Sequence, residues 1–308
     1  MKTMLLLVSF ALLGVTCVGS ASAQETSAKE TSAKETLRWK LQKGEKYDLL
    51  MKQQTNSVVT LSSKKLNSTV DLQVKVRWEV QSAEDEQFVI QQTVEAIRID
   101  MKGPDQSTVV YDSADKQAIV VGAAKDLKDS VASLLGASFT MTLRSTGEIA
   151  AVPDNQAAGD KPSSDKPAGK NAADVSQLLR RPLVVFPQAI EEANPSWTDT
   201  RQTQSPLGDV TQKRTFTLAG TEDRAGKPAA KIEVKGELQV AADATTNPKG
   251  VPVLKQQSHT GTIWFAKEAG RLIAAETNLR LVTESIYRDS AITVDLTTSL
   301  TTSLTPRD

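Results

Sequence analysis

The sequence predicts an α+β protein, mostly β, with long, curved antiparallel sheet in two related halves and one or two short covering helices. Three observations predict it. Apolar and polar residues alternate over long stretches, above all in residues 70–81 and 292–304, and period two marks a strand with one buried and one wet face. Short polar or glycine-bearing turns separate these stretches at hairpin distances. Only two short segments carry the apolar spacing of a helix.

The elements follow in order. Val70, Leu72, Val74, Val76, Trp78 and Val80 alternate with Asp71, Gln73, Lys75, Arg77, Glu79 and Gln81. The run Ala83-Glu-Asp-Glu86 is the hairpin loop to the next strand. There Phe88, Ile90, Val94 and Ala96 share one parity, and Ile97, Ile99 and Met101 take the other. A β-bulge near Ala96 and Ile97 explains the switch, because one extra residue exchanges the faces. Leu127, Val131, Leu134 and Leu135 make a helical stripe in residues 124–135, with Gly136 placed as its cap. Val175, Leu178 and Leu179 make a second stripe in residues 174–181, stopped by Pro182.

Residues 210–220 and 231–240 are strands joined by Arg224-Ala-Gly-Lys227, and residues 261–266 and 271–283 flank Lys267-Glu-Ala-Gly270. The last strand places Ile292, Val294, Leu296, Leu300 and Leu304 on one face, with threonines and serines on the other. Residues 139–149 and 263–273 echo each other, each a strand, a glycine turn and a returning strand. The echo is weak and fits either an internal duplication or two generic hairpins.

The chain begins with Met1-Lys2, an apolar run to Val18, and Gly19-Ser-Ala-Ser-Ala23. That three-part pattern predicts a secretory signal peptide cleaved after Ala23 and a protein exported to the periplasm or beyond. The apolar run is shorter than the about 20 residues of a membrane span. Residues before Cys17, the only cysteine, fit a lipidation signal poorly, so the mature chain is expected to hold no thiol and no disulfide. Two tandem Glu-Thr-Ser-Ala-Lys units make residues 24–36 a polar spacer, and Pro, Gly, Ser and mixed charge make residues 153–173 a disordered linker. Domain boundaries follow: residues 37–152 are an N-terminal β-rich half and residues 174–308 a C-terminal one.

Charges balance at 37 basic and 37 acidic residues, which excludes the concentrated positive field of a nucleic-acid binder. At 4% aromatic residues the chain is a poor stacking platform for sugars or bases. Catalytic signals are equally sparse. His259 is the only histidine, no Gly-x-Ser-x-Gly elbow occurs, and Gly122 is not part of a phosphate loop. His259 reads as a strand histidine, not as a zinc ligand or general base. Asp100, Asp105, Asp112 and Asp115 lack the spacing of a calcium loop and read as turn residues. Trp39, Trp78 and Trp264 fall in predicted strands and Trp197 just before one, where core filling is their usual fate.

Several landmarks together resemble a family of exported bacterial proteins of unknown function, of planctomycete type. They are residues 37–47, Val109-Val-Tyr-Asp-Ser113, Phe139-Thr-Met-Thr-Leu143 with Gly147-Glu-Ile149, and Asn194-Pro-Ser-Trp197. The resemblance implies export and a shared scaffold, and it carries no activity and no catalytic residue. The expectation is therefore a non-catalytic envelope binding or interaction protein without a cofactor. Its partner is an unknown envelope protein or an apolar ligand, and it is peripheral to a membrane at most. As the alternative, a lipid or other apolar ligand is carried between a concave sheet and the helices, with Val74, Val76, Trp78, Val294 and Leu296 lining its site.

Overall fold

The structure, a computed structural model, describes residues 34–115, 123–151, 184–205, 208–224, 226–240, 252–287 and 290–307. The signal peptide, the linker and the helix expected at 174–181 lie outside them. So does most of the polar spacer, but its last residues pair. Lys34–Glu35 form β1, antiparallel to β8 (Ile190–Glu191).

Everything else with strand structure belongs to one sheet of 12 antiparallel strands. The N-terminal half supplies β2 (Lys46–Leu61), β3 (Lys64–Glu84), β4 (Gln87–Lys102), β5 (Thr108–Asp112), β6 (Ser138–Arg144) and β7 (Ile149–Ala151). The C-terminal half supplies β9 (Ser196–Ser205), β10 (Gly208–Arg224), β11 (Lys227–Val240), β12 (Val253–Ala266), β13 (Arg271–Tyr287) and β14 (Ser290–Pro306). Their spatial order is β7-β6-β4-β3-β2-β14-β13-β12-β11-β10-β9, with β5 beside β4. The first long strand and the last are thus neighbours at the centre, in register from Ile292 opposite Leu61 to Pro306 opposite Tyr47. The two halves expected from sequence are one sheet. The echo of residues 139–149 and 263–273 falls on two hairpins of this sheet, β6–β7 and β12–β13.

Predicted strand features are present with small shifts. The β3–β4 loop is two residues, Asp85 and Glu86, both at positive φ (48° and 58°), the geometry that matches strand twist. The bulge in β4 falls on Glu95, because Lys75 faces Ala96 while Val76 faces Val94. The helix is α1 (Ala123–Val131), followed by a 3-10 turn Ala132–Leu134 and by Gly136 at φ 74°. Leu134 is buried, and Leu127, Val131 and Leu135 pack on the same core. Trp39 is a correction. It lies in an extended, unpaired segment and not in a strand.

That segment shows how far the sheet bends. Laid flat, β6 and β12 would stand ~29 Å apart, six spacings of ~4.8 Å. Yet Trp39 N donates to Ser145 O (2.7 Å) and the next residue, Lys40 N, to Gly270 O (2.8 Å). The β6–β7 and β12–β13 turns therefore lie within about 10 Å of each other. The sheet is a deep trough, and residues 36–43 close its lower end, the end of these turns. Residues 184–190 run beside them. Phe186 N donates to Thr146 O (2.7 Å), and Arg38 Nη1 donates to Pro187 O (2.7 Å).

The closure is packed with aromatic rings. Trp39 meets Phe265 edge-on at 5.5 Å, Phe186 meets Phe265 at 4.8 Å, and Trp197 stacks on Phe216 at 5.4 Å. Gly147 makes the junction possible. It sits at φ 88°, and a Cβ there would stand 1.9 Å from Val184 O. Gly147→Ala is expected to cost at least about 1 kcal/mol of stability from the backbone alone, read as a lower denaturant midpoint. An unchanged midpoint would show that residues 184–186 move aside freely.

Candidate functional site

The inner face of the trough is banded. Its lower part is apolar and filled: Tyr47, Leu49 and Met51 of β2, Val74, Val76 and Trp78 of β3, Ile232, Phe265 and Leu304, all closed over by Leu37, Trp39 and Phe186. Strand alternation then carries the same face upward, past residues of another kind. On β2 the next inward side chains are Gln53, Thr55 and Ser57, each buried.

A polar row crosses the sheet at this level. In register stand Thr55, Thr298, Leu279, His259, Gly236, Arg214 and Asp199, from β2 out to the last strand β9. Thr55 Oγ1 and Thr298 Oγ1 are 3.2 Å apart, and Gln53 Nε2 donates to Thr55 Oγ1 at 3.1 Å. Among the described residues Gln53 Oε1 and Ser57 Oγ have no hydrogen-bond partner, although both residues are 6% exposed. A buried polar atom left in that state costs about 1–3 kcal/mol, so such atoms mark places where a polar partner belongs.

At the β9 end the row becomes ionic. The Asp199 carboxylate takes Arg201 Nε at 2.8 Å and also receives Arg214. Arg214 lies over the Phe216 ring, 5.2 Å from its centroid. Burial by itself would raise the Asp199 carboxyl, but the two guanidiniums together hold it below its ordinary value. His259 fills the space left by Gly236, where a Cβ would meet Nδ1 at 2.1 Å. Burial first, and Arg214 second, push the imidazole down to about 4, so it is neutral near pH 7. His259 is thus an inner-face residue near the Arg214 guanidinium, a more specific position than the strand histidine expected from sequence.

Above the row, on β13 and β14, the inner face is apolar again, flanked by Ser57 on β2 and Gln257 on β12. Leu281 and Leu296 oppose each other and are 2% and 6% exposed, yet they stand outside the continuous core of the lower trough. Val294 and Thr283 face each other one step higher, and Ile292 continues the face opposite Leu61, itself 40% exposed.

The five residues expected to line a site therefore separate. Val74, Val76 and Trp78 are 3%, 0% and 1% exposed in the packed lower part, while Val294 and Leu296 lie on the upper patch. Gln53, Ser57, Asp199, Arg201 and Arg214 had no place among the expected site residues. The aspartates also resolve. Asp100 and Asp112 both bind Arg98, whereas Asp105 caps the turn at Ser107. Among the described residues no group of three or more His, Cys, Asp or Glu is placed to hold a metal ion. No helix among them is long and apolar enough to cross a membrane.

No family model matches the chain, and no curated protein does. Solved structures give loose likenesses. One is lipovitellin, from a structure of lipid–protein interactions in that protein, at 10% identity and TM-score 0.44 over 87% of this chain. The chain spans about a quarter of that partner's length, 26%. DynF from the dynemicin biosynthesis pathway of Micromonospora chersina matches at 9% identity and TM-score 0.20, over 91% of this chain and 92% of its own. The outer membrane protein OprG from Pseudomonas aeruginosa matches at 8% identity and TM-score 0.15, over 86% and 96%.

Proposed function

We propose that this protein is an exported, non-catalytic carrier that holds an apolar ligand against the upper inner face of its trough. One observation carries the reading: an apolar patch around Leu281 and Leu296 lies outside the continuous core and above a row with unpartnered buried polar atoms. The continuous core accounts for the lower trough, while this patch is separate from it and runs upward to Ile292 opposite the exposed Leu61. Ligand sites are concave, mainly apolar, and oriented by a few polar groups, and an apolar patch beside a polar row supports the reading on the last two counts.

The test is mass spectrometry on protein exported with its own signal peptide and purified without harsh detergent. Native spectra are expected to show an extra mass that is lost on denaturation and identified as lipid in an extract. A clean mass beginning at Gln24 in both spectra would defeat the carrier reading. It would favour a second one, an envelope interaction module. The terminal strand β9 supports that alternative, since among the described residues it pairs on one side only, with β10, and a sheet edge can accept a partner strand.

A further inference from the structure

We propose that Arg201 captures the anionic head, a carboxylate or a phosphate, of an amphiphile whose apolar part lies on the upper inner face; this rests on the carrier reading above. Alternation fixes the direction of the side chain. Trp197 of β9 packs into the trough, so Asp199 and Arg201 project from the same face. Asp199 occupies only the Nε edge of Arg201. Its two terminal nitrogens make no hydrogen bond among the described residues, and the side chain is 19% exposed. It is thus mostly withdrawn from water yet open to a ligand, with a planar fork that matches carboxylate and phosphate oxygens.

Local charge favours an anion. Two guanidiniums face one carboxylate, and the neighbouring ring of His259 is neutral near pH 7. A purely structural ion pair at this place needs one arginine, and Arg214 already meets that need with its contacts to Asp199 and the Phe216 ring. The distance is also suitable. From Arg201 on β9 to the Leu281 position on β13 is four strand spacings, ~19 Å along the sheet, within reach of a long acyl chain. One row below that path lies His259, whose buried Nδ1 has no hydrogen-bond partner among the described residues.

The experiment titrates delipidated full-length mature protein by calorimetry with oleate, oleoyl lysophosphatidate and oleyl alcohol, which differ in the head alone. Both anions are expected to bind at least about tenfold more tightly than the alcohol, the weight of one charge-assisted hydrogen-bond pair. The tighter of the two anions identifies the head as carboxylate or phosphate. Arg201→Gln is expected to bring the anions down to the alcohol's affinity and leave the alcohol unchanged, with Arg201→Lys restoring part of the difference. An unshifted melting temperature in Arg201→Gln confirms that the variant is folded. If the alcohol binds as tightly as the anions, or the variant weakens all three alike, the head-group assignment is wrong and the carrier reading survives. If none of the three binds, the carrier reading fails and this inference fails with it.

Discussion

Trp39→Ala is expected to lower the unfolding free energy by about 3–5 kcal/mol, the usual cost of emptying a large aromatic site in a core. Trp39 is 1% exposed and packs edge-on against Phe265. Its position adds to the effect, because residues 36–43 tie the β6–β7 turn to the β12–β13 turn through consecutive backbone hydrogen bonds. Losing the indole loosens the tie as well as the packing. For a chain of this size about 1 kcal/mol corresponds to roughly 2–4 °C in melting temperature, so a fall near 10 °C is the expected reading in a thermal melt. A shift inside the range of ordinary surface substitutions, about 0.5 kcal/mol, would mean that the trough stays closed without this segment.

The second large effect depends on pH. In the unfolded chain His259 takes up a proton near its ordinary value of 6.5, whereas burial beside Arg214 holds the folded imidazole neutral down to about 4. Between those values the unfolded state binds the extra proton. Stability is therefore full above about pH 6.5, declines as the pH falls through that window, and has lost about 3 kcal/mol near pH 4. Asp199 works on the same side at lower pH. Its carboxyl is depressed in the folded state, so its contribution fades as the pH falls below the ordinary carboxylate value. Urea unfolding across this range is expected to show the decline in the native protein and a flatter profile in His259→Gln. Equal slopes in the two proteins would place His259 in water and not over Gly236.

Legibility in the sequence tracked which face of a strand is apolar. The strands β3, β4, β11 and β14 could be read because their inward residues are apolar through most of their length, as in Val74, Val76, Trp78 and Val80. Central β2 could not, and terminal β9 only as an unbounded strand after Trp197. The inward row of β2 changes from Leu49 and Met51 to Gln53, Thr55 and Ser57, and that of β9 changes from Trp197 to Asp199 and Arg201. Period two is lost at those points because polar residues then occupy both faces. The residues that hid the strands are the same ones that make the polar row. A signal was nonetheless present: Gly236 in the middle of an otherwise regular strand announces a close approach by a neighbour, which proves to be His259. The extended path of Trp39 had no local signal, since its partners are Ser145 and Gly270, far along the chain.

The seam between β14 and β2 has a consequence for how the protein is made. Asp48 and Thr305 are hydrogen-bonded neighbours separated by 257 positions in the chain, an extreme of non-local pairing that slows folding because a very long loop must close first. Synthesis proceeds from the N-terminus, so β2 is among the earliest strands made and its partner is the last. Until residues 290–306 emerge, one whole side of β2 presents unpaired backbone groups, the kind of edge on which chains aggregate. The middle of this sheet is complete only once β14 has paired with β2.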